Sequence, residues 1–460
     1  MRKPRRARTV IIIVAAVVLL SLASINALVQ HRISLARQGL ASIGDPTPIQ
    51  EVSTQATSNE GRGEYTAAYT SLVARENHEV EANFTWDDEW FFSDSSTYNQ
   101  GIARAAIIFS AVANCESSYY QAGSNVPAYM EDLLGQMGFD DVSTASYRYR
   151  SEIIDQIANV FTPEGTDTTA YTIASKQITS RETGEKKLLV MVAIRGSYGT
   201  EWLSNLRAGV STGILKSFGY GAQDHEGFSQ AALDISNATY DYIASIITEK
   251  YPELDLGNVA LLLCGHSRGG ATANICASYL DDTADAVSKS VLEEDSGRSD
   301  ILPENLYCYT FATPAVTIEE SCHSSLYGNI FNILNPNDIV PRIPLATWGY
   351  ARYGTDLWLP EYGSDGFDEK WQAVTEAFES AVGCATKADP SDTEDVDQIE
   401  ADLGEIAPTV ADFNSVVNKF KCGVALVNGH DIVRIVQAHS TELYSAWMAS
   451  TEADDLRTSR

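Results

Sequence analysis

The sequence holds one serine in a context that favours nucleophilic chemistry. An apolar run over residues 258–265 ends in Gly265-His-Ser267-Arg-Gly269, and a stretch rich in small residues follows directly. In a strand–turn–helix the two glycines let the backbones pass at close range, and the serine stands beside a helix N-terminus that favours a developing oxyanion. The alternative is an ordinary glycine-rich turn. The position between a strand and a helix favours a nucleophile elbow at Ser267.

A serine hydroxyl is a weak nucleophile unless a base and an orienting carboxylate accompany it. Asp338 follows the apolar run that ends at Leu334, although a purely turn-forming role for it stays open. His430 and His439 are the two histidines that come later in the chain. Nine residues apart, they would face opposite sides of one helix, so one of them at most serves the site. His439 precedes a predicted helix start and is the favoured base, mainly on the resemblance given below; a surface or capping role is the alternative for either.

An oxyanion donor should lie at the end of a different strand. The predicted strand 187–194 ends in Arg195-Gly-Ser197, so Ser197 can offer a backbone N–H and a hydroxyl. The backbone N–H of Arg268, directly after the nucleophile, is the second candidate. An ordinary strand-ending turn is the alternative for Ser197.

The elements that must position these residues alternate between helix and strand from about residue 100. The apolar spacing predicts helices over 102–112, 129–137, 231–250 and 269–280, and strands over 171–178, 187–194, 258–265, 306–311 and 329–334. This alternation predicts an α/β fold with a mostly parallel central sheet and helices on both faces. Such a sheet carries its site at the carboxyl ends of its strands.

An acidic insertion over about residues 360–430 interrupts this alternation before the histidine. Its pattern predicts helices over 371–385 and 399–421, joined through the acidic run 389–397. The run lacks the glycine and the spacing of a calcium loop, which favours a solvated connection.

The seven cysteines give no metal signature. None forms a CxxC pair or a Cys/His cluster with zinc spacing. The odd count leaves at least one thiol unpaired within the chain. Cys384 and Cys422 flank the acidic helical stretch and could pair, a point that the sequence leaves open.

The N-terminal end predicts a membrane anchor. Residues 1–9 carry five basic side chains and no acid, and residues 10–29 carry no charge over a length that spans a bilayer core of roughly 30 Å. The positive flank keeps the N-terminus in the cytoplasm, so a linker over 30–63 and the predicted α/β domain over 64–460 would lie outside the cell. A cleaved signal peptide, which would make the domain secreted, is the alternative; the long apolar run favours the anchor.

The charge balance excludes one class of partner. The chain has 32 basic and 62 acidic residues, a net charge of −30. Seven of the basic residues precede the first acidic one, Asp45, so the remainder carries −37. Such a surface repels phosphate backbones and anionic lipid, which argues against general nucleic-acid binding by the main body of the chain.

Taken together, the motifs resemble those of the class 3 lipases, α/β-hydrolases of the fungal triacylglycerol lipase type. In the family's order they are Arg195-Gly-Ser197, Glu201-Trp-Leu-Ser-Asn205, His225-Glu-Gly-Phe228, Gly265-His-Ser-Arg-Gly-Gly270, Thr310-Phe-Ala-Thr-Pro314, residues 335–344 and His439-Ser-x-x-x-Tyr444. The resemblance covers roughly residues 95–350 and the final 30.

This resemblance implies a role for each candidate residue. It implies a triad of Ser267, Asp338 and His439, an oxyanion hole formed by Ser197 and Arg268, and a lid that contains Trp202. His225 matches a structural position of the family and is excluded from catalysis. Two features depart from the family: Arg268 stands where Leu is common, and the insertion is longer than the usual segment. We expect the insertion to form a cap that narrows access to the site.

The expected function is hydrolysis of carboxylic esters through an acyl-enzyme, with no metal or organic cofactor. Lipids such as acylglycerols or phospholipids and small esters are the candidate substrates. The same triad would also suit a peptidase or an acyltransferase, because fold and triad do not fix the acceptor. A membrane-tethered binding module without activity is the alternative from a different class, against which the full set of candidate residues argues.

Overall fold

A computed structural model describes the chain over residues 61–70, 73, 79–122, 129–144, 170–196, 226–291, 300–413, 415, 418, 421–422, 425, 434 and 437–459. The predicted anchor over 10–29 lies outside these residues. So do four side chains that the sequence singles out: Ser197, Trp202, His225 and His430.

The strands in the described residues are β1 (Arg62–Thr70), β2 (Glu79–Asp87), β3 (Tyr171–Thr179), β4 (Lys186–Ile194), β5 (Val259–His266), β6 (Leu306–Phe311), β7 (Ile330–Leu334) and β8 (Thr355–Trp358). The helices are α1 (Gln100–Ala122), α2 (Tyr129–Gln136), α3 (Glu226–Lys250), α4 (Arg268–Val291), α5 (Phe367–Val382), α6 (Thr393–Ile406), α7 (Val410–Phe413) and α8 (Thr441–Ser450).

Strands β3 to β8 form one sheet in chain order. The β3–β4 pair is antiparallel and every later neighbouring pair is parallel. The prediction of a mostly parallel sheet is therefore confirmed. Strands β1 and β2 form a separate antiparallel hairpin.

Helices cover both faces of the sheet, as predicted. On β5, the side chains of Ala260, Leu262 and Cys264 join a core with α1, α8 and the β1–β2 hairpin, whereas Leu261 and Leu263 join a second core with α3 and α4. Burial on both faces explains why β5 is apolar at nearly every position instead of alternating with polar residues.

The predicted strands and helices of the sheet region are confirmed, but two helices are longer than predicted: α1 ends at Ala122 and not at residue 112, and α4 ends at Val291 and not at residue 280. Two elements were not predicted: the β1–β2 hairpin and the short edge strand β8. The last two residues of the predicted 30–63 linker already belong to β1. The hairpin has a clear physical basis, because Ala67, Tyr69, Val80 and Phe84 are buried against α1.

The insertion is helical, as predicted, but its second predicted helix is interrupted. Most of residues 414–421 lie outside the described part of the chain. The break in the predicted helix 399–421 falls between α6, which ends at Ile406, and α7, which begins at Val410. Pro408 separates them, since proline cannot donate the backbone hydrogen bond that a continuous helix requires.

The seven cysteines all lie among the described residues and carry free thiols. The pairing of Cys384 with Cys422, left open by the sequence, is not made. Of the helices in the described ranges, none combines the length and apolar character that a membrane crossing demands.

Candidate active site

Ser267 occupies the sharp turn between β5 and α4. Its backbone is in the left-handed region, with φ of 58°, which costs a non-glycine residue on the order of 1–3 kcal/mol. Two hydrogen bonds hold the turn: Ser267 N–H donates to the Phe311 carbonyl at 2.8 Å, and Ala271 N–H donates to the Ser267 carbonyl at 2.9 Å. The turn thus fixes the serine at the carboxyl end of β5.

The two glycines of the turn are needed for space. A Cβ on Gly265 would lie 2.4 Å from the Gly269 carbonyl carbon, and a Cβ on Gly269 would lie 2.2 Å from the Ile194 carbonyl oxygen. Neither distance accommodates a carbon atom. The close approach inferred from the sequence is therefore present at both positions.

The structure brings Ser267, His439 and Asp338 into one chain of hydrogen bonds. His439 Nε2 lies 2.9 Å from Ser267 Oγ, and His439 Nδ1 lies 2.7 Å from Asp338 Oδ2. Asp338 is fully buried and the other two residues are nearly so. An Nδ1–H tautomer donates to the carboxylate and leaves Nε2 free to accept the serine proton.

Two further donors hold the Asp338 carboxylate. The Val340 N–H donates to Oδ1 at 2.9 Å, and the Tyr444 hydroxyl donates to Oδ2 at 3.0 Å. Tyr444 in turn accepts a 2.9 Å hydrogen bond from the Asn335 N–H. A buried carboxylate requires such partners, because an unpaired charge in the interior costs several kcal/mol.

His439 and Tyr444 are placed by the same helix. Ser440, directly after His439, caps the N-terminus of α8 by accepting from the Leu443 N–H at 3.3 Å. The Asn335 side-chain amide donates to the Ala438 carbonyl at 3.0 Å. The residues on both sides of His439 are therefore tied down, one to the helix and one to the loop that carries Asp338.

A second imidazole lies against the first. The ring centroids of His266 and His439 are 4.8 Å apart. Complete burial, together with the proximity of His439, lowers the pKa of His266 well below its usual value. His266 is therefore neutral at physiological pH and adds no positive charge beside His439.

The candidate oxyanion region is described only up to Gly196, one residue before Ser197. The Gly196 N–H donates to Asn114 Oδ1 at 2.7 Å. A Cβ on Gly196 would lie 2.6 Å from the His266 carbonyl oxygen, so the end of β4 runs closely past the nucleophile turn. Arg268 is the first residue of α4, which places its N–H at the helix N-terminus beside Ser267.

The sequence did not identify Asn114, nor a supporting role for Tyr444. Tyr444 was part of the motif that begins at His439, and its spacing was the one available signal. Asn114 lies on α1, 82 residues before Gly196, and no local pattern connects them. Within the described ranges, no group of three or more His, Cys, Asp or Glu side chains is placed to hold a metal ion.

Fold and site together define an α/β protein with a serine, a histidine and an aspartate joined at the strand ends of a mostly parallel sheet. Residues 191–348 match the family described as Lipase (class 3). Over this segment the chain is similar to the class 3 lipases. The matched segment includes Ser267 and Asp338, whereas His439 lies beyond it.

Two individual relatives are similar to this chain at low sequence identity. A lipase of Rhizomucor miehei is 25% identical over 205 residues, which cover 43% of this chain and 48% of the relative. A secreted mono- and diacylglycerol lipase of Fusarium solani is 26% identical over 173 residues, covering 37% of this chain and 44% of the relative. The chain thus spans about half the length of these relatives. Among solved structures, a triacylglycerol lipase whose catalytic centre is described as a serine protease triad shares 17% identity over 57% of this chain and 82% of its own, with a TM-score of 0.33.

Proposed function

We propose that this protein is a serine hydrolase of carboxylic esters, of the lipase type, with Ser267 as nucleophile, His439 as general base and Asp338 as the orienting carboxylate. The observation that carries the proposal is the continuous hydrogen-bonded chain from Ser267 Oγ through the His439 ring to Asp338 Oδ2. The match of residues 191–348 to the class 3 lipase family supports the choice of an ester as substrate.

In this mechanism Ser267 Oγ attacks the ester carbonyl carbon while His439 Nε2 takes its proton. Asp338 stabilises the imidazolium that forms and keeps the ring in one tautomer. The backbone N–H groups of Ser197 and Arg268 receive the developing oxyanion. The imidazolium then protonates the leaving alcohol, which departs and leaves an acyl-serine.

Deacylation repeats these roles with water as the nucleophile. His439 takes a proton from the water, the hydroxide oxygen adds to the acyl carbon, and the returning proton releases Ser267 and the carboxylic acid. Every proton transfer in this cycle uses Nε2 of His439. Besides the ester and water, these steps use only groups of the chain itself.

The decisive experiment combines a fluorophosphonate probe with a series of p-nitrophenyl esters. Wild type should be labelled and should turn over the esters, and Ser267→Ala should lose both properties. Ser278→Ala is the matched control, because Ser278 is buried on the same helix and its hydroxyl bonds the Ile275 carbonyl. A folded wild type that is neither labelled nor active would exclude the enzyme, and faster cleavage of matched anilides than of esters would favour a peptidase.

We further propose that the substrate is a neutral ester lipid. The net charge of −37 after the basic N-terminal end repels anionic surfaces over about 10 Å at 0.1 M salt. Neutral emulsions should therefore be hydrolysed faster than anionic vesicles at low salt, with a difference that shrinks as salt is added. Faster hydrolysis of anionic vesicles would contradict this.

For location, we propose an anchor over residues 10–29 with the hydrolase domain outside the cell and Trp202 in a lid over the site. The uncharged run and its basic flank support the anchor. In intact cells that express the full chain, external protease should digest the domain while residues 1–9 remain protected. Release of a soluble product that begins near residue 30 would instead establish a cleaved signal peptide.

A further inference from the structure

The insertion contacts both loops that carry the candidate acid and base. The segment over residues 386–393 follows α5 and ends at the first residue of α6. It lies between Asn337, which precedes Asp338, and Gln437, two residues before His439. We call residues 386–393 the linking segment. The sequence predicts that the insertion forms a cap, whereas the contacts of this segment are to residues next to Asp338 and His439.

On the acid side, both ends of the Asn337 amide are bonded to the linking segment. Asn337 Nδ2 donates to the Asp389 carbonyl at 2.7 Å, and the Thr393 hydroxyl donates to Asn337 Oδ1. Asn337 and Thr393 are both buried. An amide bonded at both its donor and its acceptor has a single orientation, so the backbone that leads into Asp338 is fixed relative to the insertion.

Near the candidate base, His439, one side-chain oxygen accepts two hydrogen bonds. Gln437 Oε1 accepts from the Lys387 N–H and from the Thr386 hydroxyl, the latter at 3.1 Å. The Gln437 carbonyl accepts from the Ser440 hydroxyl at 2.8 Å, and Ser440 caps α8. The linking segment is therefore connected to the residues on each side of His439.

The helices on either side of the linking segment, α5 and α6, are themselves packed against other parts of the protein. Ile339 and Val340, directly after Asp338, pack with Val396, Ile399 and Leu403 of α6 in one buried apolar cluster. On the other side, Trp371 of α5 lies 5.6 Å from Trp447 of α8, measured between ring centroids. Because packed interiors resist deformation, these contacts hold the linking segment at a set distance from both loops.

We propose that the linking segment sets the position of Asp338 relative to His439, and that Asn337 and Gln437 are positioning residues for catalysis. This inference rests on the proposed ester hydrolysis, because it assigns a purpose to the geometry of that same site. A displacement of about 1 Å in such a site lowers the rate by as much as about a hundredfold. The effect should fall on the chemical step and not on substrate binding.

The first test removes single hydrogen bonds at nearly constant volume. Gln437→Leu removes the acceptor for Lys387 and Thr386, and Thr393→Val removes the donor to Asn337. On a soluble p-nitrophenyl ester, each should lower kcat by about tenfold to a hundredfold with KM within about twofold. Thr393→Ser, which keeps the hydroxyl, should restore most of the rate.

Matched controls lie elsewhere in the same insertion. Thr375→Val removes a hydroxyl that bonds the Gln372 carbonyl on an exposed part of α5. Gln398→Leu removes an exposed amide that bonds Asp402. Both controls should retain the wild-type kcat. If Gln437→Leu and Thr393→Val behave like these controls while wild type is active, the positioning role is wrong.

A double-mutant comparison separates positioning from general destabilisation. In an Asp338→Asn background, where that contact is already disrupted, Gln437→Leu should change the fluorophosphonate labelling rate by less than about twofold. A loss of labelling rate that is as large in Asp338→Asn as in wild type would overturn the proposal, whereas an inactive, unlabelled wild type would overturn the proposed function itself.

Discussion

The Tyr444 hydroxyl donates a 3.0 Å hydrogen bond to Asp338 Oδ2, the same oxygen that lies 2.7 Å from His439 Nδ1. Complete burial, followed by the negative charge of Asp338, raises the pKa of Tyr444 well above its usual value. The phenol therefore stays protonated and remains a donor across the working pH range. Tyr444 thus holds Asp338 Oδ2, the carboxylate oxygen that also contacts His439 Nδ1.

We expect Tyr444→Phe to lower kcat/KM by roughly tenfold, since a hydrogen bond to a charged group contributes about 1.5–3 kcal/mol and the Val340 N–H remains in place. The ring stays, so packing against His266 and Phe311 is retained. Steady-state kinetics on a soluble ester measure the effect. Tyr98→Phe, whose hydroxyl bonds Gln100 away from the site, is the control; equal rates for both variants and wild type would show that Tyr444 has no influence on Asp338.

We expect Asn114 to affect kcat because it holds the backbone of the candidate oxyanion region. Asn114→Leu removes the acceptor of the Gly196 N–H and should let the following residue, Ser197, shift. Loss of one direct oxyanion donor costs about a hundredfold or more in kcat, so an indirect displacement should cost on the order of tenfold. Asn114→Asp keeps an acceptor oxygen and should retain more activity than Asn114→Leu. An Asn114→Leu variant with wild-type kcat would show that Asn114 does not contribute to catalysis.

The three candidate catalytic residues differ in how much of their role could be predicted from the sequence. The Ser267 turn was predictable because its determinants lie within five consecutive residues: two glycines and a serine between a strand and a helix. The place of Asp338 after an apolar strand made it a candidate, but its assignment to the site needed the family resemblance, because a turn-forming role stayed open. The choice of His439 needed the family resemblance as well, because spacing alone left His430 open.

The supporting contacts could not be predicted for a physical reason. Asn114 bonds a residue 82 positions away, and Gln437 bonds the Lys387 backbone 50 positions away. Such contacts depend on how α1 and the insertion pack, which no local periodicity encodes. The β1–β2 hairpin is different, since its alternating buried residues are a local signal that was present in the sequence and went unused.

Two glycine substitutions should change stability in opposite directions. Gly269→Ala places a Cβ 2.2 Å from the Ile194 carbonyl oxygen, so β4 and α4 must separate at a cost of about 1–3 kcal/mol or more. Gly404→Ala, within α6, meets only the Leu345 side chain at 3.8 Å, an ordinary contact. Its higher helix propensity should stabilise the protein by about 0.5–1 kcal/mol.

Urea unfolding of both variants, followed by circular dichroism, measures these differences. Gly404→Ala also serves as the control for the substitution itself, because both variants add one methyl group within a helix. If Gly269→Ala unfolded at the same urea concentration as wild type, the close approach of β4 and α4 would be disproved.

A buried acid far from the site should make stability depend on pH. Asp281 on α4 is fully buried, and its partner is the Asn329 amide at 3.0 Å. Burial is the main cause that raises the pKa of Asp281 well above its usual value of 3.8, and the nearby charge of Asp282 raises it further. The folded state therefore binds this proton more tightly than the unfolded state does. By linkage, the stability contributed is present below the unfolded pKa and is lost as the pH rises through the folded pKa.

Asp281→Asn mimics the protonated acid in shape and carries no charge at any pH. We expect it to raise the melting temperature at pH 8, with a gain that diminishes as the pH is lowered toward 4. Asp285→Asn is the control, because Asp285 lies one turn further along the same helix and is partly exposed. Thermal unfolding from pH 4 to pH 8 measures the difference. A loss of stability in Asp281→Asn at pH 8 would mean that the folded protein requires the charged carboxylate, contrary to the direction of the pKa shift.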